Sequence, residues 1–256
     1  MKITAIANQK GGVGKTSTCV NFCAGLGLLG ARVLLVDMDP QANSTSGLGV
    51  ERGTFPRSVY DLLIGDIPAS ECIFPTKWKG VSLIRSTIDL AGAEIEMVSA
   101  ISRESRLKKA ISSLSEFDNV IIDCPPSLGL LTLNSLVAAQ SVIIPIQCEY
   151  YALEGLSQLM NTIELVKGHL NSALEVDGLL LTMYDSRTRL SKDVADEVRT
   201  RFPDKVYENA IPRNVRISEA PSHGMPVQYY DTSSPGSAAY NKFAKEALKK
   251  WRSKEA

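Results

Sequence analysis

A glycine-rich segment, Gln9-Lys10-Gly11-Gly12-Val13-Gly14-Lys15-Thr16, follows the apolar run Ile3 to Ala7 and opens a helix-like stretch that continues to Leu29. A strand, a glycine turn and a helix in immediate succession leave few folds open, and they point to a parallel α/β sheet with a ligand at the turn. The glycines let the backbone aim N–H groups at a polyphosphate, and the helix N-terminus adds positive potential. Lys15 reaches the outer phosphates, and the Thr16 hydroxyl can ligate Mg²⁺. The segment therefore predicts a nucleoside triphosphate site. It departs from the pattern G-x-x-x-x-G-K-[ST], because Gln9 stands where the first glycine belongs and a second lysine, Lys10, lies inside the loop.

The rest of the chain repeats the strand–helix alternation. Apolar runs at 3–7, 33–36, 81–84, 120–122, 142–146 and 178–183 are short and non-alternating, as in strands covered on both faces. Between them, 15–29, 103–115, 128–139, 153–170, 190–201 and 236–252 carry apolar residues at three-to-four spacing. The expected fold is α/β, a doubly wound, mostly parallel sheet with helices on both faces. With 44% hydrophobic residues and no repeat or linker, residues 1–256 are expected to form a single α/β domain built around the phosphate-binding loop. The stretch 44–80, with Gly47, Gly49, Gly53, Pro56, Gly65, Pro68 and Pro75, reads as loops around a short helix at 58–64, an excursion from the sheet.

Composition excludes some classes of function. Basic and acidic residues balance at 28 each, so no global field draws the chain to nucleic acid or an anionic membrane, and any such partner must meet a local patch. Cysteines 19, 23, 72, 124 and 148 are odd in number and lack C-x-x-C spacing, which argues against a disulfide framework or zinc site and fits a reducing cytoplasm. Met1-Lys2 is followed directly by a strand and the glycine-rich loop, so no signal peptide is expected, and no apolar run approaches a membrane span.

Two further strands end in carboxylates. Val33-Leu34-Leu35-Val36-Asp37-Met38-Asp39-Pro40 puts Asp37 and Asp39 at the carboxyl edge of the sheet, where ligands bind. Two residues apart, they face the same side on a continuing strand, with Met38 pointing away, although Pro40 has the chain leaving the sheet. Val120-Ile121-Ile122-Asp123 closes an apolar strand on an acid, the Walker B form that supports Mg²⁺, often through water. The Pro125-Pro126-Ser127 turn that follows is able to respond to a γ-phosphate. Cys124 reads as a packed thiol, since the only histidines, His169 and His223, lie far away in sequence.

The segment Lys10 to Thr16 resembles the deviant Walker A loop of the ParA/MinD group of P-loop ATPases. Across nearly its whole length the chain is similar to ParA/Soj-type chromosome or plasmid partition ATPases. The resemblance includes the blocks Asp37 to Gly49, Asp123 to Gly129, Gln147 to Gly155 and Ile211 to Ser222, the last two separating this subfamily from other P-loop proteins. It implies slow, Mg²⁺-dependent hydrolysis of ATP. Lys10 would be the signature lysine that reaches the nucleotide of the other subunit in an ATP-dependent homodimer. Lys15 would hold the phosphates, with Gly11, Gly12, Val13, Gly14, Thr16 and Ser17 completing the ATP-binding loop. Thr16 would ligate the metal with support from Asp37 and Asp123, Asp39 would orient the attacking water, and Pro212 and Asn214 would lie against the adenine. That set matches what phosphoryl transfer asks for, positioning and charge neutralisation.

The same resemblance implies non-specific binding of double-stranded DNA by the ATP-bound dimer, release on hydrolysis stimulated by a ParB-type protein, and a nucleoid-associated location. Arg187, Arg189, Arg213 and Arg216 match the basic residues the family uses. Between 185 and 216, however, basic residues outnumber acidic ones only by eight to six, hardly a basic run. Two alternatives stay open. A MinD-like membrane-cycling ATPase would use an amphipathic C-terminal helix, and Tyr240, Phe243, Ala244, Ala247, Leu248 and Trp251 fall at helical spacing among lysines. The expectation is that this helix packs on the sheet and gives no stable membrane association. The other is a metabolic or redox enzyme of the nitrogenase iron-protein or cobyrinate-amidase type; an iron–sulfur cluster would need exposed cysteines at a dimer interface, whereas Cys19 and Cys23 lie on one helix face and Cys124 follows an apolar strand.

Overall fold

The computed structural model describes residues 1–51, 56–150, 153 and 155–255. Gly53 of the glycine-rich stretch, and Tyr151, Ala152 and Glu154 of the Gln147 to Gly155 block, lie outside the described residues. Among the described residues seven strands form one sheet: β1 (Lys2–Ile6), β2 (Val33–Asp37), β3 (Ile73–Pro75), β4 (Val81–Ile84), β5 (Asn119–Asp123), β6 (Ser141–Gln147) and β7 (Glu175–Thr182), in the spatial order β3-β4-β2-β5-β1-β6-β7. All neighbours pair in parallel except β3 with β4. The helices, in chain order, are α1 (Lys15–Leu28), α2 (Asn43–Gly47), α3 (Val59–Ile64), α4 (Ala69–Cys72), α5 (Leu90–Glu96), α6 (Arg106–Ile111), α7 (Leu130–Ala138), α8 (Leu156–His169), α9 (Arg189–Arg201), α10 (Val215–Glu219), α11 (Val227–Tyr230) and α12 (Pro235–Glu255).

Strand residues alternate between two cores. Leu34, Val36, Val120, Ile122, Val142 and Ile144 face one core, shared with α3 to α9. Val33, Leu35, Ile121, Ile143 and Leu180 face the other, shared with α1, α11 and α12. Burial of apolar side chains on both faces is why these strands read as unbroken apolar runs. The doubly wound, mostly parallel fold expected from the sequence is the fold observed.

The stretch 44–80 differs from its expectation in one respect. Its short helix is present as α3, with Ser58 and Asp61 closing a reciprocal capping box. But the chain returns to the sheet at β3, the antiparallel edge strand, and α2 packs beside the ends of β2 and β5. Three residues ending in proline are too short to show a strand period, although proline is at home on an edge.

α12 buries the apolar face that a membrane anchor would have to expose. Tyr240, Phe243, Ala244, Ala247 and Trp251 are all at most 4% exposed. Phe243 packs at a tilt against Phe22 of α1, ring centroids 4.6 Å apart, and Trp251 Nε1 donates to buried Asp177 Oδ2 at 2.8 Å. Among the described residues no helix is long and apolar enough to cross a membrane.

Candidate active site

β1 is the point where the winding of the sheet reverses, with β5 on one side and β6 on the other. Loops at the carboxyl ends of strands diverge there and leave a crevice. The phosphate loop occupies it. Gly12 and Gly14 both adopt positive φ, 76° and 87°, which a side chain would disfavour, and a Cβ added at Gly11 or Gly12 would meet nothing within 4 Å. The loop is thus an open cradle of backbone. It is anchored from both sides: Asn8 Nδ2 donates to the Pro145 carbonyl at 2.7 Å and its Oδ1 accepts from Lys10 N at 3.0 Å, while Thr182 Oγ1 donates to the Val13 carbonyl at 2.8 Å.

Lys15, the first residue of α1, is buried, and its Nζ donates to the Lys10 carbonyl at 2.8 Å. Burial lowers the pKa of this ammonium, while Asp123 and Asp39 pull it back up. The carboxylates opposite thus favour its charged form against burial. Lys10 itself is half-buried, and Thr16 and Ser17 follow on the first turn of α1.

The carboxylates meet this loop because β2 and β5 end level with each other, Asp37 opposite Asp123. Both are fully buried. Burial, and for Asp37 the neighbouring Asp123 charge, raises both carboxyls above the ordinary range; Ser44, Thr16 and Cys19 beside Asp123 act in the opposite sense. Ser44 Oγ donates to Asp123 Oδ2 at 2.7 Å, and Thr45 donates to Asp37 Oδ2 through Oγ1 at 2.7 Å and N at 2.8 Å. Asp123 Oδ1 is buried with no hydrogen bond of good geometry. A divalent cation fits such a place: it would supply the missing partner, and its charge would oppose the burial that raises both carboxyls. Asp39 is also buried, on the loop just past β2; its carboxylate accepts from Gln41 N at 2.9 Å, and its N–H donates to Asp37 Oδ1 at 3.2 Å. Met38 turns into the opposite core, as the strand alternation predicts.

A cavity of ≈ 260 Å³ opens beside the loop, bordered by Gly14, Ser17, Met183, Pro212, Asn214 and Tyr240. Residues 211–213 run along the end of β7, with Ile211 N donating to the Leu181 carbonyl at 2.8 Å and Arg213 N to the Tyr184 carbonyl at 3.0 Å. Asn214 then caps α10, its Oδ1 accepting from Arg216 N at 3.2 Å. Pro212 and Asn214, nearly two hundred residues from the loop in sequence, share this cavity with Ser17.

The profile of the AAA_31 family, an AAA domain, matches residues 1–176. Sporulation initiation inhibitor protein Soj of Bacillus subtilis is 57% identical, spanning 96% of this chain and 97% of that protein. Chromosome partitioning protein ParA of Myxococcus xanthus is 51% identical over 97% of the chain and 88% of its own length. The chain belongs to the ParA/Soj family of partition ATPases. A solved structure, cobyrinic acid a,c-diamide synthase from Mycobacterium smegmatis with bound ADP and magnesium, is similar with a TM-score of 0.87 and 42% identity, covering 99% of this chain and 96% of that one.

In this ParA/Soj ATPase all five cysteines are free and buried. Burial pushes the thiols of Cys19, Cys23 and Cys124 upward, which makes them poor nucleophiles. The four arginines expected to meet DNA are exposed, but each is engaged with a carboxylate of its own chain. Arg187 pairs with Asp185 at 2.8 Å, Arg189 with Asp193 at 3.6 Å, Arg213 with Glu149 at 2.9 Å, and Arg216 with Glu219 at 2.8 Å and Asp231 at 3.3 Å. The Arg187 guanidinium holds the Asp185 carboxyl at about 2, so that acid stays charged throughout the neutral range. Spacing singles out none of Thr182, Ser44 and Thr45, because a hydroxyl that anchors a loop or a carboxylate looks like any other serine or threonine in sequence.

Proposed function

We propose that this ParA/Soj ATPase is an ATP-gated DNA-binding switch that uses ATP and Mg²⁺. The loop N–H groups of residues 11–16 and Lys15 bind the phosphates, Thr16 with Asp37 and Asp123 holds the metal, and Asp39 orients the attacking water. When bound, Mg²⁺ neutralises charge on the outer phosphates. Pro212, Asn214 and Ser17 receive the adenine. Lys10, half-buried at the mouth of the loop, reaches the nucleotide of a second subunit, so that the homodimer forms with ATP and dissolves after hydrolysis. We read residues 1–256 as one ATPase domain, since both cores are built on the one sheet.

The observation that carries this reading is the convergence of buried Lys15 with Asp39 and with Asp123, whose Oδ1 lacks a partner, at the reversal point of the sheet. The names of the relatives direct it to partition. Double-stranded DNA is bound without sequence preference through Arg187, Arg189, Arg213 and Arg216. Dimerisation doubles this surface, which matters because phosphates must displace internal carboxylates from every arginine. A ParB-type protein stimulates hydrolysis and so releases DNA.

The test is duplex DNA binding over a salt series with ATP, ADP or no nucleotide, for wild type and Arg216→Glu. Binding that needs ATP, falls with salt and is lost in Arg216→Glu supports the switch. No binding under any nucleotide, combined with ATP-dependent pelleting on anionic liposomes, replaces it with a membrane-cycling ATPase.

A further inference from the structure

α2 is a helix of five residues, far too short to be stable by itself. What fixes it is a pair of consecutive hydroxyl side chains. Ser44 is bonded to Asp123 at the end of β5, and Thr45, by side chain and backbone, to Asp37 at the end of β2. Both residues are buried, at 0% and 5% exposure. Thr45 Oγ1 also accepts from Ser86 N at 3.1 Å, which ties α2 to the end of β4.

This clamp encloses the loop that carries Asp39. The loop leaves β2 at Asp37 and enters α2 through Ala42, which sits at φ 55 in the left-handed region that a non-glycine residue occupies only when its surroundings hold it there. Inside, Ala42 N donates to the Asp39 carbonyl at 2.9 Å. The same hydroxyls also constrain the acids. A carboxylate turns easily about its last bond, so a hydrogen bond to one oxygen fixes the direction of the other. Asp37 then offers Oδ1 to Asp39 N, and Asp123 keeps Oδ1 without a partner.

We propose that Ser44 and Thr45 are positioning residues for hydrolysis. Ser44 sets the direction of the remaining Asp123 oxygen for the metal, and Thr45 locks Asp37 and, through α2, the conformation of the Asp39 loop. The inference rests on the roles proposed above for Asp37, Asp39 and Asp123.

The experiment uses the purified full chain as wild type, Ser44→Ala, Thr45→Val, Thr45→Ser and Asp39→Ala. It measures ATP turnover in a Mg²⁺ titration, nucleotide affinity in EDTA, and amide hydrogen exchange over residues 37–48. Loss of a hydrogen bond to a charged group converts to about tenfold or more. Ser44→Ala is expected to raise the Mg²⁺ concentration for half-maximal turnover about tenfold, with affinity in EDTA within about twofold of wild type. Thr45→Val is expected to lower kcat about tenfold with little change in KM and to speed exchange over 38–42, while Thr45→Ser restores both. Wild-type Mg²⁺ half-saturation and wild-type exchange in Ser44→Ala and Thr45→Val overturn the inference, as does a lower melting temperature with unchanged turnover per folded molecule. If Thr45→Val does not fold, Ser44→Ala decides through the Mg²⁺ titration and the exchange rates. Asp39→Ala separates the two levels: wild-type turnover there removes the catalytic reading itself, whereas an inactive Asp39→Ala beside wild-type behaviour of the α2 variants removes only the role of the hydroxyls.

Discussion

The phosphate-loop crevice and the arginine surface differ in how their charges are kept. In the crevice Lys15, Asp37, Asp39 and Asp123 are buried, and each is held by hydrogen bonds with loop backbone or with α2. On the surface Arg187, Arg189, Arg213 and Arg216 sit in water, with side-chain exposures from 46% to 94%, each beside an acid of its own chain. Buried charges interact strongly and must be answered locally, whereas exposed ones interact weakly and act through their number. On the proposed reading, nucleotide binding in the crevice draws mainly on one subunit's geometry, with Lys10 reaching across from the other. On the same reading, DNA binding at the surface grows with how many copies are brought together.

Lys15 gives the largest expected break in this contrast. Lys15→Ala removes the only side-chain ammonium buried in the crevice among the described residues and should weaken ATP binding by at least about a hundredfold, read by titration with a fluorescent nucleotide. Retained tight binding would mean that the loop N–H groups suffice, and that the crevice is as redundant as the surface. Asp39→Ala comes next: kcat should fall about a hundredfold with nucleotide affinity kept, and the ATP-bound dimer should accumulate in size-exclusion chromatography. Turnover near that of wild type would move the water-orienting role to another group.

The two regions also differed in how far sequence could reach them. Loop, strand ends and helix starts obey local spacing, so Gly12, Gly14, Lys15, Asp37 and Asp123 could be placed from periodicity and strand direction alone. The pairing of Asp37 with Asp123 could not, because it depends on β5 inserting between β2 and β1. Nor could the cavity that joins Ser17 to Pro212 and Asn214, which relies on residues 211–213 following the end of β7. Short elements escaped for a different reason: β3, α10 and α11 span three to five residues, less than the windows that periodicity needs. The window 103–115 shortened to Arg106–Ile111 because Ser102 turns at φ 53 and a tight 3₁₀ turn precedes the helix. The arginine pairs show the other limit. A count of eight bases against six acids says nothing about Arg216 lying between Glu219 and Asp231, and only the folded chain does.

Thr182 tests whether the crevice depends on support outside its own motif. Its hydroxyl is buried and holds the Val13 carbonyl, so Thr182→Val, similar in shape, should cost about 1 kcal/mol of loop order and weaken ATP binding about fivefold. An unchanged affinity in isothermal titration would show that Asn8 and the glycines position the loop unaided.

The smallest effect is expected on the surface, and it distinguishes two meanings of the arginine pairs. Glu219 accepts from Arg216 at 2.8 Å and from the Tyr230 hydroxyl at 3.3 Å. Glu219→Gln keeps an oxygen for both donors and removes the charge that a DNA phosphate must otherwise displace, while Asp231 still steadies the guanidinium at 3.3 Å. An exposed pair is worth at most about 1 kcal/mol, so ATP-dependent DNA affinity should rise about two- to threefold at low salt, and the gain should fade as salt screens both competitors. Tighter binding in a fluorescence anisotropy titration would mean that the internal acids restrain the surface until dimerisation adds enough phosphate contacts to overcome them. Weaker binding would mean that Glu219 aims Arg216 at the phosphate, and the surface would then be as pre-arranged as the crevice.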